Sequence, residues 1–267
     1  MSRATSPDGT SIAFDRQGTG PAVILVGGGL TDRSENAPLA PELADQFTVY
    51  NYDRRGRGDS GDTLPYTVQR EIEDLDALIA HAGGSAHLYG VSSGGALALE
   101  ATAAGLAVDK LAVYEVPYSI AGGMLQRWGE YVEQLGPALA SGRRGDALAL
   151  FMRLAGSTDD DVAAARNHPM WAQSEAIEHT LAYDAACLGN GEPPTDRLST
   201  ITRPALVVTG EAGINPYTPA FPPDFYQQAA DAIVATIPHA ERHTLEGQTH
   251  VADPKVVSAT LERFLRS

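Results

Sequence analysis

The chain has 267 residues, with 34 acidic against 19 basic side chains and a formal net charge of −15. That charge repels polyanions such as DNA, and the one basic cluster, Arg54-Arg55-Gly56-Arg57, is too short to reverse it. A single cysteine, Cys187, excludes an intrachain disulfide; no apolar window reaches membrane-span length, and Met1 to Gly9 lack the apolar core of a signal peptide, so a cytoplasmic protein is expected.

Pro7-Asp8-Gly9 reads as a turn between two short strands, the second over 11–16. Ala22-Val23-Ile24-Leu25-Val26 is a short apolar run closed by Gly27-Gly28-Gly29. Such a run suits a strand buried on both faces of a parallel sheet. Further strands are predicted over 47–52, 86–91, 110–114, 204–209 and 242–245. Val68, Ile72, Leu75, Leu78 and Ile79 recur at three- and four-residue spacing, which predicts a helix with one apolar face. Other helices are predicted after Ser92, over 225–237, and through Val256, Leu261, Phe264 and Leu265. Alternating strand and helix predicts an α/β fold with a mostly parallel sheet and right-handed crossovers. From about 119 to 195 the alternation stops and the chain reads as helical. The expected organisation is one core built from 1–118 and 196–267, with 119–195 inserted as a helical cap.

Gly90-Val91-Ser92-Ser93-Gly94 stands where a predicted strand passes into a predicted helix. In that context the G-x-S-x-G pattern marks a nucleophile on a sharp turn, with flanking glycines relieving the crowding. Ser92 is therefore the candidate nucleophile. The alternative is an ordinary glycine-rich turn. Acyl transfer also needs two backbone N–H groups aimed at the oxyanion. Ser93 supplies one. Gly29 is the candidate for the other, with Leu30 next, because glycines let a backbone approach a substrate closely.

A serine hydroxyl needs a base. Of seven histidines, only His250 combines a glycine-containing loop, Glu246-Gly247-Gln248-Thr249-His250, with the carboxyl end of a predicted strand. In α/β proteins that is the end where sites form.

Nearly the whole chain resembles the α/β-hydrolase superfamily. The resemblance rests on four segments: the Gly27-Gly28-Gly29 loop, the Tyr52-Asp53-Arg54-Arg55-Gly56-Arg57-Gly58-Asp59-Ser60 turn, the elbow at Ser92, and Gly247-Gln248-Thr249-His250. It implies an α/β-hydrolase fold with a central sheet, flanking helices and a cap. Asp53 and the arginines are expected to shape the turn after their strand. A serine at the elbow implies neither haloalkane dehalogenase nor epoxide hydrolase chemistry, which use aspartate there.

One position departs from the family. The acid usually follows the strand equivalent to 204–209, and here Gly210-Glu211-Ala212-Gly213 puts glycine at that place. Glu115, ending the strand before the cap, is the first candidate to orient His250, and is similar in placement to the acid of the zearalenone lactonase type. A carboxylate closing an apolar run needs a partner, and an imidazole N–H is one. Glu211 is the second candidate. A third reading leaves Glu115 bonded to backbone amides or reaching into the cap cleft.

The cap is rich in aromatic and methionine side chains, which suit packing and an apolar pocket for a small-molecule substrate. Leu30, Tyr118, Trp128 and Trp171 are the candidate substrate contacts. No metal-ligand spacing is present and no cofactor is expected. The expected activity is hydrolysis of a carboxylic ester or lactone. The same constellation serves thioester cleavage, acyl transfer and C–C hydrolysis, and a non-catalytic binding protein on this fold is the alternative of another class.

Overall fold

The computed structural model describes residues 1–211, 213 and 218–267. Among them, eight strands form one sheet: β1 (Ser2–Thr5), β2 (Ser11–Gln17), β3 (Ala22–Val26), β4 (Thr48–Tyr52), β5 (Ala86–Val91), β6 (Val108–Tyr114), β7 (Ala205–Gly210) and β8 (Ala240–Leu245). Their order is β1-β2-β4-β3-β5-β6-β7-β8. The pairs β1/β2 and β2/β4 are antiparallel, and every later pair is parallel.

Helices cover both faces: α1 (Leu39–Leu43), α2 (Val68–Ala82), α3 (Ser93–Ala103), then α4 (Gly122–Ala140), α5 (Asp146–Ala155), α6 (Asp159–Arg166), α7 (Trp171–Ala176) and α8 (Leu181–Leu188), and finally α9 (Thr195–Leu198), α10 (Phe225–Thr236) and α11 (Pro254–Arg266). Strand side chains alternate between the two faces. On β3, Ile24 and Val26 pack with residues of α2, α3 and α10, while Val23 and Leu25 pack with α1 and α11. Both faces of the central strands are thus buried, which is why those segments read as unbroken apolar runs. The structure adds α1, which sequence periodicity does not single out, and starts β6 at Val108, two residues before the predicted Lys110.

Between β6 and β7 the described chain contains no strand, only α4 to α9 and a 3-10 turn at Glu178–Thr180. Within this block Tyr131, Leu135, Ala147, Leu181 and Ala185 form an apolar cluster of their own. α8 packs on α3, which explains why residues 93–99 of α3 are buried without a polar face.

The strand register decides where the site lies. Val26 pairs with Gly90, Val91 with Tyr114, and Tyr114 with Val208. The loops after β3, β5, β6 and β7 therefore leave the sheet side by side. β8 runs parallel to β7 and delivers residues 246–250 to the same edge.

Candidate active site

Ser92 occupies the turn between β5 and α3 with φ 54° and ψ −127°. Such a conformation is strained for a residue with a side chain and is held only by its surroundings. The Ser92 backbone N–H donates to the Tyr114 carbonyl at 2.9 Å. A Cβ on Gly90 would sit 2.5 Å from the Gly94 carbonyl oxygen, and one on Gly94 would sit 2.3 Å from that of Gly27. Both positions need glycine because backbone packs on backbone there.

Glu115 follows β6 directly and is 4% exposed, with φ 46°. Its Oε1 accepts the Gly210 N–H at 2.8 Å, and its Oε2 lies 2.7 Å from His250 Nδ1. With the proton on Nδ1, the imidazole donates to the carboxylate and leaves Nε2 free to accept. The ring stacks on Tyr226, with centroids 5.0 Å apart and planes 15° from parallel. Tyr114 Oη donates to the Thr249 carbonyl and ties down the histidine loop. Glu211 is placed differently: its Oε2 accepts the Gly247 N–H at 2.8 Å, and its side chain is exposed. Gly213, at the family's usual acid position, donates its N–H to the Pro223 carbonyl.

Ser92, Ser93, Gly29 and His250 line one cavity of about 310 Å³. Among the described residues Ser92 Oγ makes no hydrogen bond, and the N–H groups of Gly29 and Ser93 find no acceptor. Met124, Trp128, Tyr131, Phe151, Leu154 and Phe225 give the cavity an apolar wall.

Residues 22–260 match the Alpha/beta hydrolase family. The chain belongs to that family. It is 29% identical over 274 residues to a pimeloyl-[acyl-carrier protein] methyl ester esterase of Xanthomonas campestris, covering 94% of this chain and 98% of the relative. An uncharacterised hydrolase of Bacillus subtilis is 33% identical over 96 residues, and that match spans only 35% of the relative's length. The crystal structure of an α/β hydrolase from Sphaerobacter thermophilus superposes with a TM-score of 0.86 at 45% identity, over 99% of this chain and 100% of the other. The enol-lactonase from Burkholderia xenovorans shares the fold at 20% identity, with a TM-score of 0.71 and full coverage of both chains.

Of the four side chains expected to touch substrate, this hydrolase brings one to the cavity, Trp128. Tyr118 is fully buried in the core beneath the sheet's helices, while its neighbours Pro117 and Ser119 line the cavity. Trp171 lies under the Arg166 guanidinium, 4.9 Å from ring centroid to Cζ, and bonds Glu175. Leu30 packs on the Tyr131 cluster. A tight turn, with the Tyr118 N–H on the Val116 carbonyl at 2.9 Å, sets the facing here and puts Tyr118 in the core while its two neighbours reach the cavity. The other two are drawn into the packing of the helical block.

Sequence reasoning assigns the arginine turn to local structure, and the hydrolase uses it over a longer range. Asp53 does hold the turn, accepting the N–H groups of Arg33 at 2.7 Å and Asp59 at 2.8 Å. Arg54 pairs with both oxygens of Glu71 at 2.7 Å and reaches Asp184 at 2.8 Å. Arg57 reaches the same Asp184 oxygen at 2.7 Å and donates to the Gly28 carbonyl. Ser93 Oγ also donates to that Asp184 oxygen, at 2.8 Å. One carboxylate of α8 thus gathers the loops after β3, β4 and β5. Burial pushes the Glu71 carboxyl up, and the Arg54 charge more than reverses this, leaving it below the usual carboxylate range. The only sequence signal for Asp184 is an acid inside the apolar run Leu181–Leu188.

Proposed function

We propose that this hydrolase cleaves a carboxylic ester or lactone through an acyl-enzyme on Ser92, with His250 as base, Glu115 as orienting acid, and the N–H groups of Gly29 and Ser93 as the oxyanion hole. The observation that carries the reading is the 2.7 Å contact between His250 Nδ1 and Glu115 Oε2, in a site whose cavity also holds Ser92. His250 Nε2 takes the Ser92 proton as Oγ attacks the carbonyl carbon. The carbonyl oxygen gains charge and is met by preorganised donors. Glu115 stabilises the imidazolium without taking its proton. The imidazolium then protonates the leaving alkoxide. Water, deprotonated by the same nitrogen, attacks the acyl-enzyme and frees Ser92. A lactone presents the same carbonyl, and its leaving alcohol stays tethered to the acyl group. The apolar wall suits an uncharged hydrocarbon part of the substrate. The Xanthomonas methyl ester esterase, related over nearly the full length, supports ester chemistry.

Labelling the folded protein with a fluorophosphonate, followed by peptide mapping, tests this reading. The adduct is expected on Ser92 and absent in Ser92→Ala. Folded protein that stays unlabelled at Ser92 while hydrolysing no activated aryl ester contradicts it.

A further inference from the structure

The cavity holds a carboxylate that the proposed mechanism does not use. Glu35 follows β3 and α1 has not yet begun, so it sits on the loop that carries Gly29. Its Oε2 accepts the Gly28 N–H at 2.6 Å and the Thr31 hydroxyl at 3.1 Å. Its Oε1 makes no hydrogen bond among the described residues. That free oxygen lies 3.3 Å from the point a Cβ on Gly28 would occupy, and Ser92 Cβ lies 3.2 Å from the same point. The unused oxygen and Ser92 Cβ thus approach the same point beside Gly28, and both residues line the cavity.

No lysine or arginine bonds that free oxygen among the described residues, although Arg57 and His250 lie near enough to draw the Glu35 carboxyl down. Arg57 is committed to Asp184 and the Gly28 carbonyl, and His250 to Glu115. Among the described residues lining the cavity there is no Lys or Arg, and residues 212 and 214–217 include none in sequence. Asp184, the other unused acid on the wall, is already matched by Arg54 and Arg57. The Glu35 side chain is exposed and lines the cavity, so a ligand can reach its free oxygen. A ligand cation placed against it gains a partly screened charge contact.

We infer that Glu35 is a subsite for a positively charged group, so the enzyme selects esters bearing an ammonium near the scissile carbonyl over neutral ones and disfavours esters bearing a carboxylate. The inference rests on the ester-hydrolase reading. The net charge of −15 also draws cations, but that long-range pull fades with salt, whereas a contact inside the cleft is screened less.

The test compares kcat/KM of the full chain, at high salt, on four esters of similar size: ethyl pentanoate, ethyl 4-aminobutyrate, butyrylcholine and monoethyl succinate. One of the two cationic esters is expected to exceed ethyl pentanoate at least about fivefold, the scale of a single partly screened charge contact, with the succinate slowest. Which cation wins shows whether Glu35 faces the acyl or the alcohol side. In Glu35→Gln, which keeps the shape and one acceptor for Gly28, the ratio of cationic to neutral ester is expected to fall to near unity. Ester cleavage by wild type without charge preference overturns this inference alone, and so does a preference that survives in Glu35→Gln. Should the wild type cleave none of the four and no activated aryl ester, the hydrolase reading falls and takes this inference with it.

Discussion

Glu115 holds His250 and Gly210 at once, with one carboxylate oxygen on the imidazole at 2.7 Å and the other on the strand-end N–H at 2.8 Å. The second bond fixes the first, because it stops the carboxylate from rotating away. Glu115→Gln keeps an acceptor for one partner and turns a donor toward the other. By the measure of a triad that loses its acid, kcat on an activated ester is expected to fall about 10³- to 10⁴-fold. Glu211→Gln touches only the Gly247 N–H on an exposed loop and is expected to stay within about threefold. Steady-state kinetics of the two variants rank them, and the opposite ranking reassigns the acid.

Asp184 is the joint between the helical block and the loops that carry the candidate site. Arg54 and Arg57 are each 2% exposed, and Asp184→Ala leaves both guanidiniums short of a buried counter-charge. Removing one member of a buried pair costs about 3–5 kcal/mol. Urea unfolding is expected to show a loss of that order for Asp184→Ala and a smaller one for Asp184→Asn, which keeps an acceptor oxygen. The pair Asp184→Ala with Arg57→Met is expected to lose less than the two single losses added, because removing the second charge relieves the first. Additive losses would show that the two side chains act independently.

His87, on β5, is 7% exposed and its Nδ1 has no partner among the described residues. Desolvation lowers its pKa below the usual 6.5. The unfolded chain therefore binds a proton at a pH where the folded chain does not. Stability is complete above about pH 6.5 and is lost as the pH falls toward the depressed folded value. His243 is shifted in the same direction, by desolvation first and by Arg263 and Arg242. His87→Phe, with its ring against Phe47, is expected to flatten part of the melting-temperature decline between pH 7 and 5. An unchanged slope would place the acid sensitivity elsewhere.

The residues differ in how much of this the sequence makes readable. Local chemistry is legible. The alternation at Val23, Ile24, Leu25 and Val26 encodes a strand with two buried faces, and the glycines at 90 and 94 encode a turn with no room for Cβ. Glu115 becomes legible by subtraction, since Gly213 cannot orient a histidine. What stays hidden is partnership across distance. The three arginines of the Arg54–Arg57 turn read in sequence as shaping their own turn, yet the acid that Arg54 and Arg57 share is 130 and 127 residues away. Nothing in composition records which acid meets which base. Facing is also lost where periodicity is short: Pro117, Tyr118 and Ser119 follow a strand with too few residues to show which side is the cavity. Glu35 carries no motif, and only the fold of the Gly28 loop brings it beside Ser92.

Gly94 offers a test of how closely the elbow and the oxyanion loop are fitted. A Cβ there would lie 2.3 Å from the Gly27 carbonyl oxygen and 2.5 Å from that of Val26. Both are backbone atoms, so no rotamer change relieves the contact. The loop carrying Gly29 has to move away from Ser93, and the two candidate oxyanion donors separate. Gly94→Ala is expected to cost about 1–3 kcal/mol of stability, as overpacking does. A displacement near 1 Å at a reacting centre costs about 10²-fold in rate, so kcat on an activated ester is expected to fall by at least that much. Gly122→Ala is the control, since its added Cβ meets nothing within 4 Å and it opens a helix. That variant is expected to unfold and turn over as the wild type does. Equal kinetics for the two variants would mean that the loop after β3 yields without disturbing the site, and that Gly29 is not held in place by the elbow.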